Sequence, residues 1–378
     1  MNPPGRKIRV LIIDDSVVAC KVLSETIAGD PGMEVAGTAL SGPLALSQLY
    51  VWSPDLVILD LDMPGMDGLQ TLAEIKKVRP KLPVLICSAL TGSGNRHSVQ
   101  ALLGGATDFV TKPTQQARGS AGFDAFSREL LEKIKSICGI REKPLSAGAA
   151  LAGMISSAPG PAGSASPIPS SAPAQNREPN PIRAGCEPEI LAIGVSTGGP
   201  QALLEFVPRI TEDFPAPIVI VQHMPPLFTK SLSDSLGKKA RIKVEEGVDG
   251  RALEAGVAYI APGGFHMQVV KRKGRFELAL NTDPAVNSCR PAVDVLFRSV
   301  AEAYGSKVLA VVLTGMGQDG LAGAEAIRKS GGAIFVQDEA SSVVWGMPGT
   351  IARAGFADKI LSLQDLPPAV LAVFQRRR

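Results

Sequence analysis

Two α/β halves joined by a segment of low complexity are what this 378-residue chain predicts, and three observations predict it. Short, near-continuous apolar runs recur between stretches of helical spacing, as strands buried on both faces of a parallel sheet require. The order is strand then helix in both halves, which builds open, doubly wound sheets. From about residue 143 to 183 the chain is instead dominated by Ala, Pro, Gly and Ser, as in Ser156-Ser157-Ala158-Pro159-Gly160-Pro161-Ala162-Gly163. That composition has no helix or strand period and cannot bury enough apolar surface to offset the entropy of ordering. Residues 141–186 are therefore expected to be a flexible linker between domains at 1–140 and 187–378.

In the first domain five runs read as strands: Ile8-Arg9-Val10-Leu11-Ile12-Ile13, a weaker one at Val35-Ala36, Leu56-Val57-Ile58-Leu59, Pro83-Val84-Leu85-Ile86-Cys87 and Thr107-Asp108-Phe109-Val110. Helical spacing lies between them, for example over residues 17–27 and 69–78. In the second domain Ile190-Leu191-Ala192-Ile193 feeds a helical stretch around Ala202-Leu203-Leu204 and Phe206-Val207. Further strands are expected at Ile218-Val219-Ile220-Val221-Gln222, Val308-Leu309-Ala310-Val311-Val312-Leu313 and Ala333-Ile334-Phe335-Val336, with a closing helix over 367–374. Between about 244 and 280, Gly-rich turns and alternating residues predict a β-hairpin insertion.

The composition excludes several classes. Only 4% of residues are aromatic, and a formal charge of +3 gives no basic footprint, so nucleic acid is not an expected partner; Arg376-Arg377-Arg378 reads as a solvated tail. The five cysteines are an odd number without metal-type spacing and read as reduced thiols. No signal-peptide core and no apolar stretch of membrane-spanning length is present, so a cytoplasmic protein without membrane insertion is expected.

The stretch richest in chemistry is Gly194-Val195-Ser196-Thr197-Gly198-Gly199-Pro200. A glycine-flanked serine between a strand and a helix is held at the carboxyl end of a sheet, beside backbone N–H groups that can stabilise an oxyanion. A Gly-rich turn that cradles a phosphate has the same outline. The supply of bases distinguishes them, because a serine nucleophile needs a group to take its proton. The chain has three histidines, His97, His223 and His266. His223 ends the strand that follows the serine strand and is the better base; His266 follows another apolar run, in Ala261-Pro262-Gly263-Gly264-Phe265-His266-Met267. A third strand end, Thr314-Gly315-Met316-Gly317-Gln318-Asp319-Gly320, supplies Asp319, which alone would read as a helix cap. Ser196, His223 and Asp319 together form a candidate triad in the order Ser…His…Asp, unlike the Ser…Asp…His of α/β-hydrolases.

In the first domain Asp14 and Asp15 end the first strand and Asp60 the third, so three carboxylates converge at one sheet edge. Such a cluster needs a cation, and an incomplete set of oxygen ligands suits Mg²⁺. Lys112 ends the fifth strand and brings an ammonium to the same edge. The pattern Asp14-Asp15, Asp60-Leu61-Asp62-Met63-Pro64-Gly65-Met66-Asp67-Gly68, Ser88-Ala89 and Lys112-Pro113 resembles the receiver domain of bacterial two-component response regulators over residues 8 to about 138. That resemblance implies a flavodoxin-like fold, phosphorylation of Asp60, Mg²⁺ held by Asp14, Asp15 and Asp60, and Lys112 and Ser88 as switch residues. Phe109 is a looser match to the switch aromatic and reads equally well as core.

The second half resembles the catalytic domain of the CheB family of protein-glutamate methylesterases. The residues that carry it are the Ser196 heptad, Gln222-His223-Met224-Pro225, Ala261-Pro262-Gly263-Gly264, His266-Met267, Arg290-Pro291, Val293-Asp294-Val295-Leu296-Phe297, the Asp319 segment, Glu339-Ala340-Ser341-Ser342-Val343-Val344 and Gly346-Met347-Pro348. By motif position the family's triad falls on Ser196, His223 and Asp319. Thr197 and Met316 fall among site-lining positions, with their N–H groups as oxyanion donors. The resemblance implies a Rossmann-like domain, methyl-ester hydrolysis on the cytoplasmic helices of chemoreceptors, glutamine deamidation as a second activity and no cofactor at the esterase site. It also implies a chemotaxis-type histidine kinase as phosphodonor, with a monomer expected and the unmodified receiver covering the cleft. Cys289 departs from the pattern, standing where a histidine is often found, and the linker is unusually long. Rival readings are a non-motility signalling array, a DNA-binding effector, for which no helix-turn-helix or basic helix is present, and a nucleotide-binding domain, for which G-K-[ST] and G-x-G-x-x-G are missing.

Overall fold

The computed structural model describes residues 6–88, 94–113, 120–139 and 187–375. The expected linker, Ala89 and Arg376-Arg377-Arg378 lie outside them. The first domain alternates strictly: β1 (Ile8–Ile13), α1 (Val17–Ala28), β2 (Met33–Ala39), α2 (Gly42–Trp52), β3 (Leu56–Leu59), α3 (Gly68–Val78), β4 (Val84–Ser88), α4 (Gly94–Leu103), β5 (Asp108–Thr111) and α5 (Ser120–Ile137). Its sheet is parallel in the order β2-β1-β3-β4-β5. Side-chain caps fix the helix starts, where backbone N–H groups lack partners. Ser16 accepts from Ala19 N, and Asp67 and Gln70 form a capping box on α3.

The second domain continues with β6 (Ile190–Val195), α6 (Gly199–Phe206), β7 (Ile218–Gln222), α7 (Phe228–Gly237), β8 (Lys243–Glu246), β9 (Val257–Ile260), β10 (His266–Arg272) and β11 (Arg275–Asn281). It ends with α8 (Val293–Tyr304), β12 (Val308–Val312), α9 (Leu321–Lys329), β13 (Ala333–Gln337), α10 (Met347–Arg353), β14 (Lys359–Leu361) and α11 (Leu366–Gln375). Seven parallel strands run β14-β13-β12-β6-β7-β9-β8. All six β6 residues are buried, with Ile190, Leu191, Ile193 and Val195 each contributing roughly 1.5–3 kcal/mol. The segment read as hairpins divides: only β10 and β11 pair antiparallel, while β8 and β9 join the parallel sheet. β8 misleads because it is an edge strand, exposed or half-buried along its length, and so lacks the continuous apolar run of a strand buried on both faces. β14, three residues at the other edge, is too short to signal itself.

The chain moves from β6 outward through β7, then returns to β12 on the other flank of β6. That reversal opens a crevice at the carboxyl ends of β12, β6 and β7, where doubly wound sheets bind ligands. One apolar cluster runs through both domains, holding Leu59 and Phe109 together with Leu203 and Phe228. Phe109 is therefore buried core shared by the two domains, not a free switch side chain: its ring packs in that cluster and stacks on Phe228 at 4.8 Å and 20°.

Candidate active site

Ser196 leaves β6 in a turn that its glycines make possible. Gly198 has φ +77°, and a Cβ there would meet Val343 at 2.7 Å. Gly199 lies so close to the Gln222 amide that no side chain fits. Gln222, buried at the end of β7, donates from Nε2 to Ser196 O at 3.0 Å and so ties the turn to the neighbouring strand.

Three adjacent strand ends then meet. His223, just past β7, places Nδ1 3.1 Å from Ser196 Oγ and Nε2 2.8 Å from Asp319 Oδ2. With Nε2–H donating to the carboxylate, Nδ1 carries the lone pair that can take the serine proton. Asp319, beyond β12, is nearly fully buried but heavily donated to: Val293 N at 2.6 Å, Asp294 N at 3.1 Å, Gly320 N at 3.0 Å and Asn287 Nδ2 at 2.9 Å. Val293 and Asp294 open α8, whose N-terminus has no side-chain cap of its own. Asp319 caps that helix from another element, and the positive end of the helix favours its charge. Burial raises the Asp319 pKa, but the His223 contact and these donors outweigh it and hold the carboxyl below its usual range. Burial likewise disfavours a charged His223; the Asp319 and Cys289 contacts outweigh it and raise the imidazole to about 9.

Among the backbone amides of the turn, Ser196 N–H goes to Thr314 O, Gly199 N–H to Ser196 O and Gly198 N–H to Thr107 O. No acceptor for the Thr197 or Met316 N–H occurs among the described residues. Gly315, next to Met316, lies so close to Ser196 that a Cβ would stand 2.9 Å from the serine Cβ.

The other histidines are elsewhere. His266 is buried, donating from Nε2 to Pro284 O at 3.1 Å and accepting Ala292 N–H at Nδ1, a pillar for the loop before α8. His97 lies on the receiver, 4.0 Å from Asp62. Sequence reasoning missed Asn287, which bridges Asp319 and Asp294, and left Cys289 without a role; its Sγ lies 3.5 Å from His223 Nδ1. Neither residue belongs to a strand-end pattern, and only the fold brings their loop over the site.

In the first domain Asp14, Asp15 and Asp60 bring carboxylate oxygens within 4.8 Å of one another. Lys112 Nζ reaches Asp14 at 2.7 Å and Asp60 at 2.9 Å. Burial raises the Asp60 pKa despite this lysine. Burial also opposes the Lys112 charge, but Asp60 and Asp14 outweigh it and raise its pKa. One ammonium against three carboxylates leaves unbalanced negative charge among oxygen donors, the arrangement a hard divalent cation fits. Ser88 Oγ lies 2.9 Å from Ser98 Oγ on α4.

The two sites are joined by contacts across the domains. Thr197 Oγ1 donates to Asp108 Oδ2 at 2.6 Å, Gly198 N–H to Thr107 O at 3.2 Å, and Gln201 Nε2 to Leu102 O. Lys133 steadies the receiver side, 3.3 Å from Asp108 and donating to Phe109 O at 2.6 Å.

Residues 191–370 match the family described as CheB methylesterase, and residues 10–121 match the response regulator receiver domain. A protein-glutamate methylesterase/protein-glutamine glutaminase of Trichodesmium erythraeum is 42% identical over 97% of this chain and 98% of its own length. Its counterpart in Maricaulis maris is also 42% identical, over 98% of this chain and 96% of that one. The crystal structure of the Thermotoga maritima CheB methylesterase catalytic domain is 41% identical, covering 49% of this chain and 98% of that one, with a TM-score of 0.49.

Proposed function

This chain belongs to the CheB methylesterase family, with a response regulator receiver domain ahead of the catalytic domain, and we propose that it hydrolyses glutamate γ-methyl esters on chemoreceptor helices under control of Asp60 phosphorylation. The observation that carries this reading is the alignment of Ser196, His223 and Asp319 at three neighbouring strand ends. His223 Nδ1 takes the hydroxyl proton as Ser196 Oγ attacks the ester carbonyl, while Asp319 keeps Nε2–H oriented and offsets the imidazolium charge. The Thr197 and Met316 N–H groups receive the developing oxyanion. Collapse of the tetrahedral adduct passes the proton to the leaving methoxide, releasing methanol; water, deprotonated by the same nitrogen, then frees the glutamate carboxylate. A glutamine side chain presents its carbonyl in the same way and loses ammonia, which is the glutaminase activity in the relatives' names.

Regulation acts through the contacts with the receiver. Asp14, Asp15 and Asp60 would hold Mg²⁺, which when bound offsets phosphoryl charge during transfer from a histidine kinase. Phosphorylation adds about −1.5 to −2 charge and new acceptors at Asp60. Lys112 and Ser88 turn toward them, and Ser88 leaves Ser98 on α4. The same helix supplies Leu102 O to Gln201, and Asp108 at the start of β5 and Thr107 just before it contact the Ser196 turn, so their shift releases the catalytic cleft. The test is methanol release from methylated receptor membranes, with and without a small phosphodonor. Ser196→Ala should abolish release while Asp60 still takes up phosphate; an unchanged rate removes Ser196 from the chemistry.

A further inference from the structure

One thiol touches the reacting atoms, and the mechanism above does not use it. Asn287 and Ser288 both have left-handed backbones, φ 51° and 62°, and the turn they make carries Cys289 Sγ to 3.5 Å from His223 Nδ1. The same nitrogen faces Ser196 Oγ at 3.1 Å. With Nε2 committed to Asp319, the Nδ1 lone pair has two hydrogen donors to choose from, an alcohol and a thiol. A thiol is by far the stronger acid of the two side-chain types. Cys289 is half-buried, within reach of small solutes, whereas Cys20 and Cys87 are buried. Burial pushes the Cys87 and Cys138 thiols up to about 12, which leaves them inert at neutral pH.

We infer that Cys289 is a covalent modification site built on the catalytic imidazole, where exchange with a small disulfide forms a mixed disulfide that reversibly silences Ser196. His223 Nδ1 takes the Sγ proton, and the thiolate attacks one sulfur of R–S–S–R. The new Sγ–S bond forms as the old S–S bond breaks; the departing RS⁻ takes the proton back from the imidazolium. Cys289 is oxidised to the mixed disulfide, one half of the reagent is reduced to RSH, and the imidazole ends neutral. The bound S–R group then stands beside Nδ1, where the serine and the ester carbonyl must meet. A second thiol reverses the exchange. Loss of methanol release on modification rests on the ester-hydrolase reading; the exchange itself does not.

The experiment treats the full-length protein with 2-hydroxyethyl disulfide, follows the adduct at Cys289 by peptide mass mapping, and measures methanol release in parallel. Release should fall about tenfold or more in step with the Cys289 adduct and return with dithiothreitol. Cys289→Ser should keep its own starting rate through the same treatment, and Cys289→Ala is the second variant if the serine form fails to fold. In His223→Ala the adduct at Cys289 should form about tenfold more slowly, while the other cysteines react as before. Full methanol release from fully modified protein, equal inactivation of the Cys289 variants, or unslowed labelling in His223→Ala would each overturn the inference. If untreated protein releases no methanol, the ester-hydrolase reading fails, while the labelling rates with and without His223 still decide the Cys289 pair.

Discussion

At His223 two demands meet on one ring. Its folded pKa, raised to about 9 from 6.5, means the imidazole carries a proton through the neutral range. The proposed mechanism needs the neutral base, so methanol release should climb with pH from 7 and level off above about 9. Stability runs the other way. A pKa raised on folding contributes fully below 6.5 and is lost as pH passes through about 9, so thermal stability should decline over the window in which activity rises. Asp319→Asn should cut the plateau about 10⁴-fold, because the amide can present its NH₂ to Nε2 and favour the wrong tautomer. It should also move the rise to lower pH, since burial then opposes the charge without the carboxylate. A pH profile of methanol release beside an imidazole NMR titration checks both. Asn287→Ala removes one donor of several to Asp319 and should cost about 1 kcal/mol, roughly fivefold in rate.

Among the elements, the turn after β6 and the β5 edge of the receiver are mechanically one unit. Gly198 sits at φ +77° with Val343 in the space of a Cβ. Gly198→Ala should therefore destabilise the second domain by about 1–2 kcal/mol from backbone strain alone, with further cost from the clash, read in denaturant unfolding. Asp108 ties Thr197 from the receiver and is itself held by Lys133 and by its bond to Phe109 N–H. Asp108→Ala should raise basal methanol release several-fold, on the order of 1 kcal/mol of lost closure, and shrink the response to phosphodonor by the same factor. A basal rate equal to wild type would show that the Thr197 contact does not restrain the site.

For the whole molecule, the two sheets share one apolar cluster, and Phe109 stacked on Phe228 is its bridge. The contact between the domains therefore rests on packing as well as on hydrogen bonds, and an aromatic pair adds about 0.5–1.5 kcal/mol beyond its burial. Phe109→Ala should raise basal activity while leaving Asp60 phosphorylation intact, measured by phosphate uptake beside methanol release. Asp60→Asn should keep basal activity and lose the phosphodonor response; a full response in that variant would place the switch elsewhere.

Both α/β halves, most of the strands and the strand-end positions of Ser196, His223, Asp319, Asp14, Asp15, Asp60 and Lys112, which the fold brings together at two candidate sites, could be read from the chain alone. Strands buried on both faces write continuous apolar runs, and groups at their carboxyl ends share an edge wherever those strands lie in the sheet. The pattern could not say that β12, β6 and β7 are immediate neighbours, because parallel order is set by crossovers that local periodicity does not record. It misplaced β8 and β9 and missed β14: β8 and β14 are edge strands without the two-sided burial that makes a strand legible, and β9, though fully buried, is a four-residue run among Gly-rich turns that mask its place in the parallel sheet. Nor could it place Asn287 and Cys289 at the triad, or Thr107 and Asp108 on the serine turn. Those contacts join residues 32 to 91 positions apart, or on different domains, through loops and the start of β5, whose distant partners no local period records, so only the packed tertiary structure decides them.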